Sequence, residues 1–123
     1  MRKRVLIVDD SATVRKVLET TLSEAGYDVT EAVNGQQALE YAQQSKYDLL
    51  MTDLNMPVMD GFDLVKEFRK INGCRFTPTI MLTTEGNPLK KIESFQIGVN
   101  GWLNKPFQPN HVLRIINIVT PQE

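Results

Sequence analysis

Asp53 closes the apolar run Tyr47-Asp48-Leu49-Leu50-Met51-Thr52, after which Leu54-Asn55-Met56-Pro57 turns the chain away. An acid at the carboxyl end of a buried strand sits at the mouth of an α/β sheet, where such sheets place their ligands. Asp9 and Asp10 end a second apolar run, Val5-Leu6-Ile7-Val8, while Lys105 follows a later strand and precedes Pro106. Three carboxylates and one ammonium at strand ends predict a single cluster. Acids packed so closely repel unless a counter-ion joins them, and a hard cation with oxygen ligands, Mg2+ above all, is the economical partner. Beside such an ion an aspartate acts as a nucleophile toward a phosphoryl group and yields an acyl phosphate. The ion neutralises charge on the transferring oxygens and a lysine does so from another side. Thr83, at a neighbouring strand end, offers a hydroxyl to a phosphoryl oxygen. No GxxxxGK[ST] loop and no GxGxxG motif occurs, so a nucleotide donor has no evident cradle. The sole histidine, His111, has no partner for a histidine-based site.

The elements that must position these groups alternate strand and helix five times. After Val5–Val8, Ser11 caps a helix whose Val14, Val17, Leu18, Thr21, Leu22 and Ala25 recur at helical spacing, and Gly26 ends it. Tyr27–Ala32 alternates rather than running apolar, which predicts an edge strand. Asn34-Gly35 turns into a helix with Ala38, Leu39 and Ala42 on one face, and Asp48–Asp53 is the next strand. A loop ends at Asp60-Gly61, a helix carries Leu64, Val65 and Phe68, and Asn72-Gly73 breaks it. Thr79–Thr83 is apolar strand again, and Asn87-Pro88 reads as a cap with proline at the first helical position. That helix uses Leu89, Ile92 and Phe95 and stops at Gly98; Gly101–Asn104 and Asn110–Val119 supply the last strand and helix. A (βα)5 rhythm with apolar strands predicts an α/β fold, a doubly wound parallel sheet of flavodoxin-like order 2-1-3-4-5. In that order the first and third strands are neighbours, so Asp9, Asp10 and Asp53 meet at the switch point.

Composition narrows the field. At 123 residues the expected organisation is one domain over 1–123. The 14 basic and 15 acidic residues give a net charge of −1, so there is no electrostatic footprint for nucleic acid. The single cysteine, Cys74, cannot form an internal disulfide, which fits a reducing cytoplasm. No apolar stretch approaches the ~20 residues of a membrane span. The basic Met-Arg-Lys-Arg start runs into only four apolar residues, too few for a signal peptide.

Val8-Asp9-Asp10-Ser11, Thr52-Asp53-Leu54-Asn55-Met56-Pro57-Val58-Met59-Asp60-Gly61, Leu82-Thr83-Thr84-Glu85 and Asn104-Lys105-Pro106-Phe107 resemble, in order, the four signatures of response-regulator receiver domains. The resemblance covers the whole chain and is closest to single-domain chemotaxis receivers of the CheY type. It implies that Asp53 accepts phosphate from a histidine kinase. It further implies that Asp10, Asp53 and the backbone carbonyl of Asn55 ligate Mg2+, with Asp9 helping through water, and that Thr83 and Lys105 bind the phosphoryl group. The Lys105-Pro106 bond would be cis, Asn55 and Glu85 would tune the lifetime of the acyl phosphate, and Trp102 would stand where the family carries a switching Tyr or Phe. The implied partners are the kinase, a downstream protein such as a flagellar motor switch protein, and a phosphatase. No direct contact with nucleic acid or membrane is expected, and the state is a monomer or weak dimer.

Each residue also has a plainer reading. Asp9 and Asp10 fit helix caps, although two adjacent acids exceed what one cap needs. Asp53 alone fits a turn, Thr83 alone a strand and Lys105 alone a solvated surface; only the constellation lifts them. Trp102 fits a static core residue as well as a switch. His111 is expected to be exposed, Cys74 incidental in a polar loop, and Phe62, Phe68, Phe76 and Phe95 packed. The last helix carries Val112, Leu113, Ile115, Ile116, Ile118 and Val119, more than the ~100° apolar stripe of a surface helix, consistent either with burial or with a sticky face where the family docks partners. The expected function is a cytoplasmic phosphorylation switch of bacterial two-component signalling, acting alone in chemotaxis or motility, with no turnover of external substrates. Two rivals stand beside it. One is a receiver cut from a longer DNA-binding regulator, with Thr120-Pro121-Gln122-Glu123 as the start of a linker. The other is an Mg2+-dependent aspartyl phosphatase, which would usually carry a second acid where Asn55 stands.

Overall fold

A computed structural model of the chain describes residues 2–84 and 88–120. Ten elements alternate along it: β1 (Arg4–Val8), α1 (Ala12–Glu24), β2 (Asp28–Ala32), α2 (Gly35–Gln44), β3 (Leu49–Asp53), α3 (Gly61–Lys70), β4 (Thr79–Thr83), α4 (Pro88–Gln96), β5 (Gly101–Asn104) and α5 (Pro109–Val119). The strands form one parallel sheet in the order β2-β1-β3-β4-β5, the expected flavodoxin-like arrangement. Every residue of β3 and β4 is buried, because helices cover both faces of the sheet. The half-polar β2 lies at an edge.

Two apolar layers hold the sheet. On one face Val5, Ile7, Met51, Ile80, Leu82 and Leu103 meet Leu18 and Leu22 of α1 and Val112 and Ile116 of α5. On the other, Leu6, Val8, Leu50 and Met81 meet Ala38 and Ala42 of α2 and Leu64, Val65 and Phe68 of α3. Side chains alternate across a strand, so consecutive apolar residues feed both layers. The starts of three helices are set by side-chain caps: Ser11, Asn34 and Asp60 accept from Val14, Gln37 and Asp63 backbone N–H groups. Gly26 and Gly98, where helices were expected to stop, have φ of 95° and 97°.

Several expectations need correction. Leu89, Ile92 and Phe95 are not a packed face: they are 74%, 55% and 48% exposed, and Ser94 is the buried residue of α4. Phe76 is not packed either, being 86% exposed in the turn before β4. Cys74 does not lie in a solvated loop; its N–H donates to the carbonyl of Ile71, and the thiol turns into the core. Burial there raises the thiol pKa. β2 starts at Asp28 rather than Tyr27, because the Tyr27 N–H is used to close α1 on the Leu22 carbonyl. Phe62 and Phe68 are buried and His111 is exposed, as expected. The expected cap Asn87, Glu85 and the expected linker residues Pro121–Glu123 lie outside the described residues.

Candidate phosphoryl-transfer site

Register brings the site together. Val8 pairs with Thr52, so Asp9 and Asp53 leave adjacent strands side by side. Thr83 pairs with Asn104, and the Lys105 N–H donates to the Thr83 carbonyl at 2.8 Å, which brings Lys105 to the same rim. The peptide Lys105-Pro106 is cis. Beyond β3 the Leu54 N–H donates to Leu82 and the Gly61 N–H returns to Leu54, at 2.9 and 2.8 Å. The loop is thereby folded over the strand end, with α3 starting directly behind Asp53.

The Lys105 ammonium bridges two acids. It donates to Asp9 Oδ2 at 2.7 Å and to Asp53 Oδ1 at 3.1 Å. Asp9 is wholly buried and its Oδ1 also accepts the Ser11 N–H at 2.9 Å. Asp53 is 6% exposed, and Asp10 lies exposed at the lip. One carboxylate oxygen from each of Asp9, Asp10 and Asp53 falls within a group spanning no more than 4.8 Å. Burial, then the Asp9 charge, pushes the Asp53 carboxyl above its usual pKa; the Lys105 bond and charge only partly offset this, and Asp10 adds to it. Burial depresses the Lys105 ammonium, but its bonds to Asp9 and Asp53 outweigh that and hold it above its ordinary range.

Such a set of hard oxygen donors, with more negative charge than one ammonium compensates, fits a divalent cation of the Mg2+ type. Asp10 and Asp53 are the carboxylates best able to supply direct ligands, since both oxygens of Asp9 are already bonded to Lys105 and Ser11. Asn55 lies exposed in the loop after β3, and Thr83 is fully buried at the end of β4. Asp53 thus stands at the end of β3 with the Lys105 ammonium beside it, an arrangement that suits a nucleophilic carboxylate.

Trp102 is already inward. It is 9% exposed, belongs to the layer containing Met81 and Val99, and donates its indole N–H to Asn104 Oδ1 at 3.1 Å. A switch at Trp102 that worked by bringing an exposed ring inward would therefore have no exposed starting point here; a large indole gains more by covering apolar surface than by standing in water. Two residues escaped the sequence reading. Asn104 stands in the sequence only as a strand end and the first residue of the Asn104-Lys105-Pro106-Phe107 signature, yet its side chain holds Trp102. Gly61 stands in the sequence only as a loop end and the last residue of the Thr52–Gly61 signature, yet a Cβ there would lie 2.5 Å from the Asp53 carbonyl oxygen. Its signal was a glycine at the first position of a helix, where chain flexibility alone has little use.

Residues 5–117 match the family model described as the response regulator receiver domain. The chain is 42% identical over 118 residues to the chemotaxis protein CheY1 of Helicobacter pylori, covering 94% of this chain and 95% of that protein. It superimposes on the structure of the Vibrio cholerae chemotaxis protein CheY4 with a TM-score of 0.94, at 44% identity over 97% of this chain and 99% of the other. A similar structure, with a TM-score of 0.87 and 31% identity over 97% and 98% of the two chains, is the receiver domain of a Pseudomonas aeruginosa sensor histidine kinase with a magnesium ion coordinated in its active-site cleft.

Proposed function

Because the chain belongs to the response regulator receiver family, we propose that it is the phosphorylation-operated switch of a two-component pathway with Asp53 as acceptor, working in chemotaxis. The observation that carries the reading is the Lys105 ammonium held between Asp9 and Asp53 at the mouth of the sheet. Ionised Asp53 attacks the phosphorus of a kinase phosphohistidine; the new bond is O–P, the P–N bond breaks, and its electron pair stays on the imidazole, which takes up a proton. Lys105 stabilises charge on the phosphoryl oxygens, and Thr83 offers its hydroxyl from the adjoining strand end. Asp10, Asp53 and the Asn55 carbonyl would hold Mg2+, with Asp9 acting through water. When bound, the ion supplies charge neutralisation to the transferring oxygens. By the family resemblance, Asn55 and Glu85 would set how long the acyl phosphate survives.

Phosphorylation then shifts an existing equilibrium between conformations, and a downstream protein reads the favoured one. Likeness to two chemotaxis proteins along nearly their full lengths supports that pathway, and a flagellar motor protein is the target such a pathway would imply. A cytoplasmic setting, with a histidine kinase upstream and a phosphatase to reset the switch, follows from the same reading. Acetyl phosphate with Mg2+ should add one phosphoryl group, seen by intact mass, and Asp53→Asn should abolish it. Labelling that persists in the variant, on Ser11 or Thr83, would sink the assignment.

A further inference from the structure

Asp9 and Asp10 are adjacent in sequence but are held very differently. Asp9 is fixed on every side: its N–H donates to the Ala32 carbonyl, and its carboxylate is bonded by Ser11 and Lys105. Asp10 is exposed, and its carboxylate has no hydrogen-bond or ion-pair partner among the described residues. What aims Asp10 at the cluster must therefore act through its backbone. The peptide entering Asp10 is a rigid plane whose oxygen is the Asp9 carbonyl. That oxygen accepts from the Arg15 guanidinium at 2.6 Å. Arg15 lies one turn along α1, its side chain only 15% exposed, and its Nε is paired with Glu31 Oε1 of β2 at 3.3 Å. A planar guanidinium bonded to two partners is itself held in orientation.

We propose that Arg15, braced by Glu31, is a positioning residue for the cation site: it locks the Asp9–Asp10 peptide so that the Asp10 carboxylate faces Asp53. The inference rests on the reading of this cluster as an Mg2+ site. It makes a prediction opposite in sign to simple electrostatics. A nearby guanidinium repels a cation, so on charge grounds alone its removal should tighten Mg2+ binding. If Arg15 acts by orientation, its removal weakens binding, by about tenfold as for other residues that orient metal ligands.

The test is an Mg2+ titration of the purified protein, followed by Trp102 emission and by the rise in melting temperature, for wild type, Arg15→Met and Arg15→Lys. Lysine keeps the charge but cannot reach both Asp9 and Glu31 as a planar fork. Weaker Mg2+ binding in both variants, with the metal-free melting temperature of Arg15→Lys close to wild type, supports the inference. Tighter binding in Arg15→Met, or unchanged binding in Arg15→Lys, overturns it. Should Arg15→Met fail to fold, Arg15→Lys alone decides. A wild-type protein indifferent to Mg2+ defeats the underlying reading first, and the inference with it.

Discussion

Asp53 carries a conflict that the free protein must tolerate. It is buried, faces Asp9 and Asp10, and has its carboxyl pKa raised above the ordinary 3.8. A carboxylate whose folded pKa exceeds its unfolded value binds more protons in the native state. Stability is then highest in acid and falls as pH rises through the folded pKa. In the presence of a chelator, Asp53→Asn removes that loss while its amide oxygen can still accept from Lys105. The variant should melt higher than wild type at pH 8, by about 2–6 °C for a chain of this size, and the gap should close toward pH 4. Melting curves across that pH range check it; a variant less stable at pH 8 would show that the Lys105 bond outweighs the burial of charge. Asp10 should behave differently. On the proposed reading, Mg2+ should raise the melting temperature of wild type by binding only the folded state, and Asp10→Asn should lose most of that rise.

At the scale of elements, the contact between α3 and β3 decides whether Asp53 is presented at all. A Cβ on Gly61 would lie 2.5 Å from the Asp53 carbonyl oxygen, 2.7 Å from Met81 Sδ and 3.0 Å from Leu54 Cα. Two of these neighbours are backbone and cannot swing aside as a side chain can. Gly61→Ala should cost about 1–3 kcal/mol, the usual range for overpacking, and should also slow labelling of Asp53 by acetyl phosphate. Urea unfolding and labelling kinetics read the two effects separately, and an alanine variant normal in both would show that α3 has room to retreat. α4 teaches the complementary point. Leu89, Ile92 and Phe95 share a helical face, and that face is exposed because Ser94 is the residue turned inward, its Oγ donating to the Lys91 carbonyl at 2.7 Å. Helical spacing says which residues share a face, not which face meets the sheet.

Across the whole molecule, the site is joined to the far sheet edge through one short chain of contacts. Thr83 pairs with Asn104 in register, and Asn104 accepts the indole N–H of Trp102. On the proposed reading, a shift of Thr83 toward a phosphoryl group would reach Trp102 by way of Asn104. Since Trp102 is 9% exposed at rest, emission of the unphosphorylated protein should already lie in the buried range with little acrylamide quenching. Beryllofluoride with Mg2+ should change its intensity more than its wavelength. Asn104→Ala should raise acrylamide access several-fold without the mimic, since a lost indole bond leaves a polar N–H unsatisfied near the surface. Red-shifted, readily quenched emission from wild type would contradict the packing described here. Among the described residues no helix is long and apolar enough to cross a membrane.

Sequence alone determined what short-range chemistry encodes. The period of apolar residues distinguishes strand from helix, Ser11, Asn34 and Asp60 announce helix starts, and acids after apolar runs mark the mouth of a parallel sheet. From these the strand order and the meeting of Asp9, Asp10 and Asp53 follow, because crossover handedness leaves few alternatives. Only tertiary structure decided matters that depend on a residue's distant neighbours. Exposure of Leu89, Ile92, Phe95 and Phe76, burial of Cys74 and inward packing of Trp102 depend on which surfaces remain uncovered once the layers have closed. The clamp of Arg15 on the Asp9 carbonyl, and the need for glycine at 61, arise where two segments approach within bonding distance. No local pattern records that distance, since it is set by packing of the whole core.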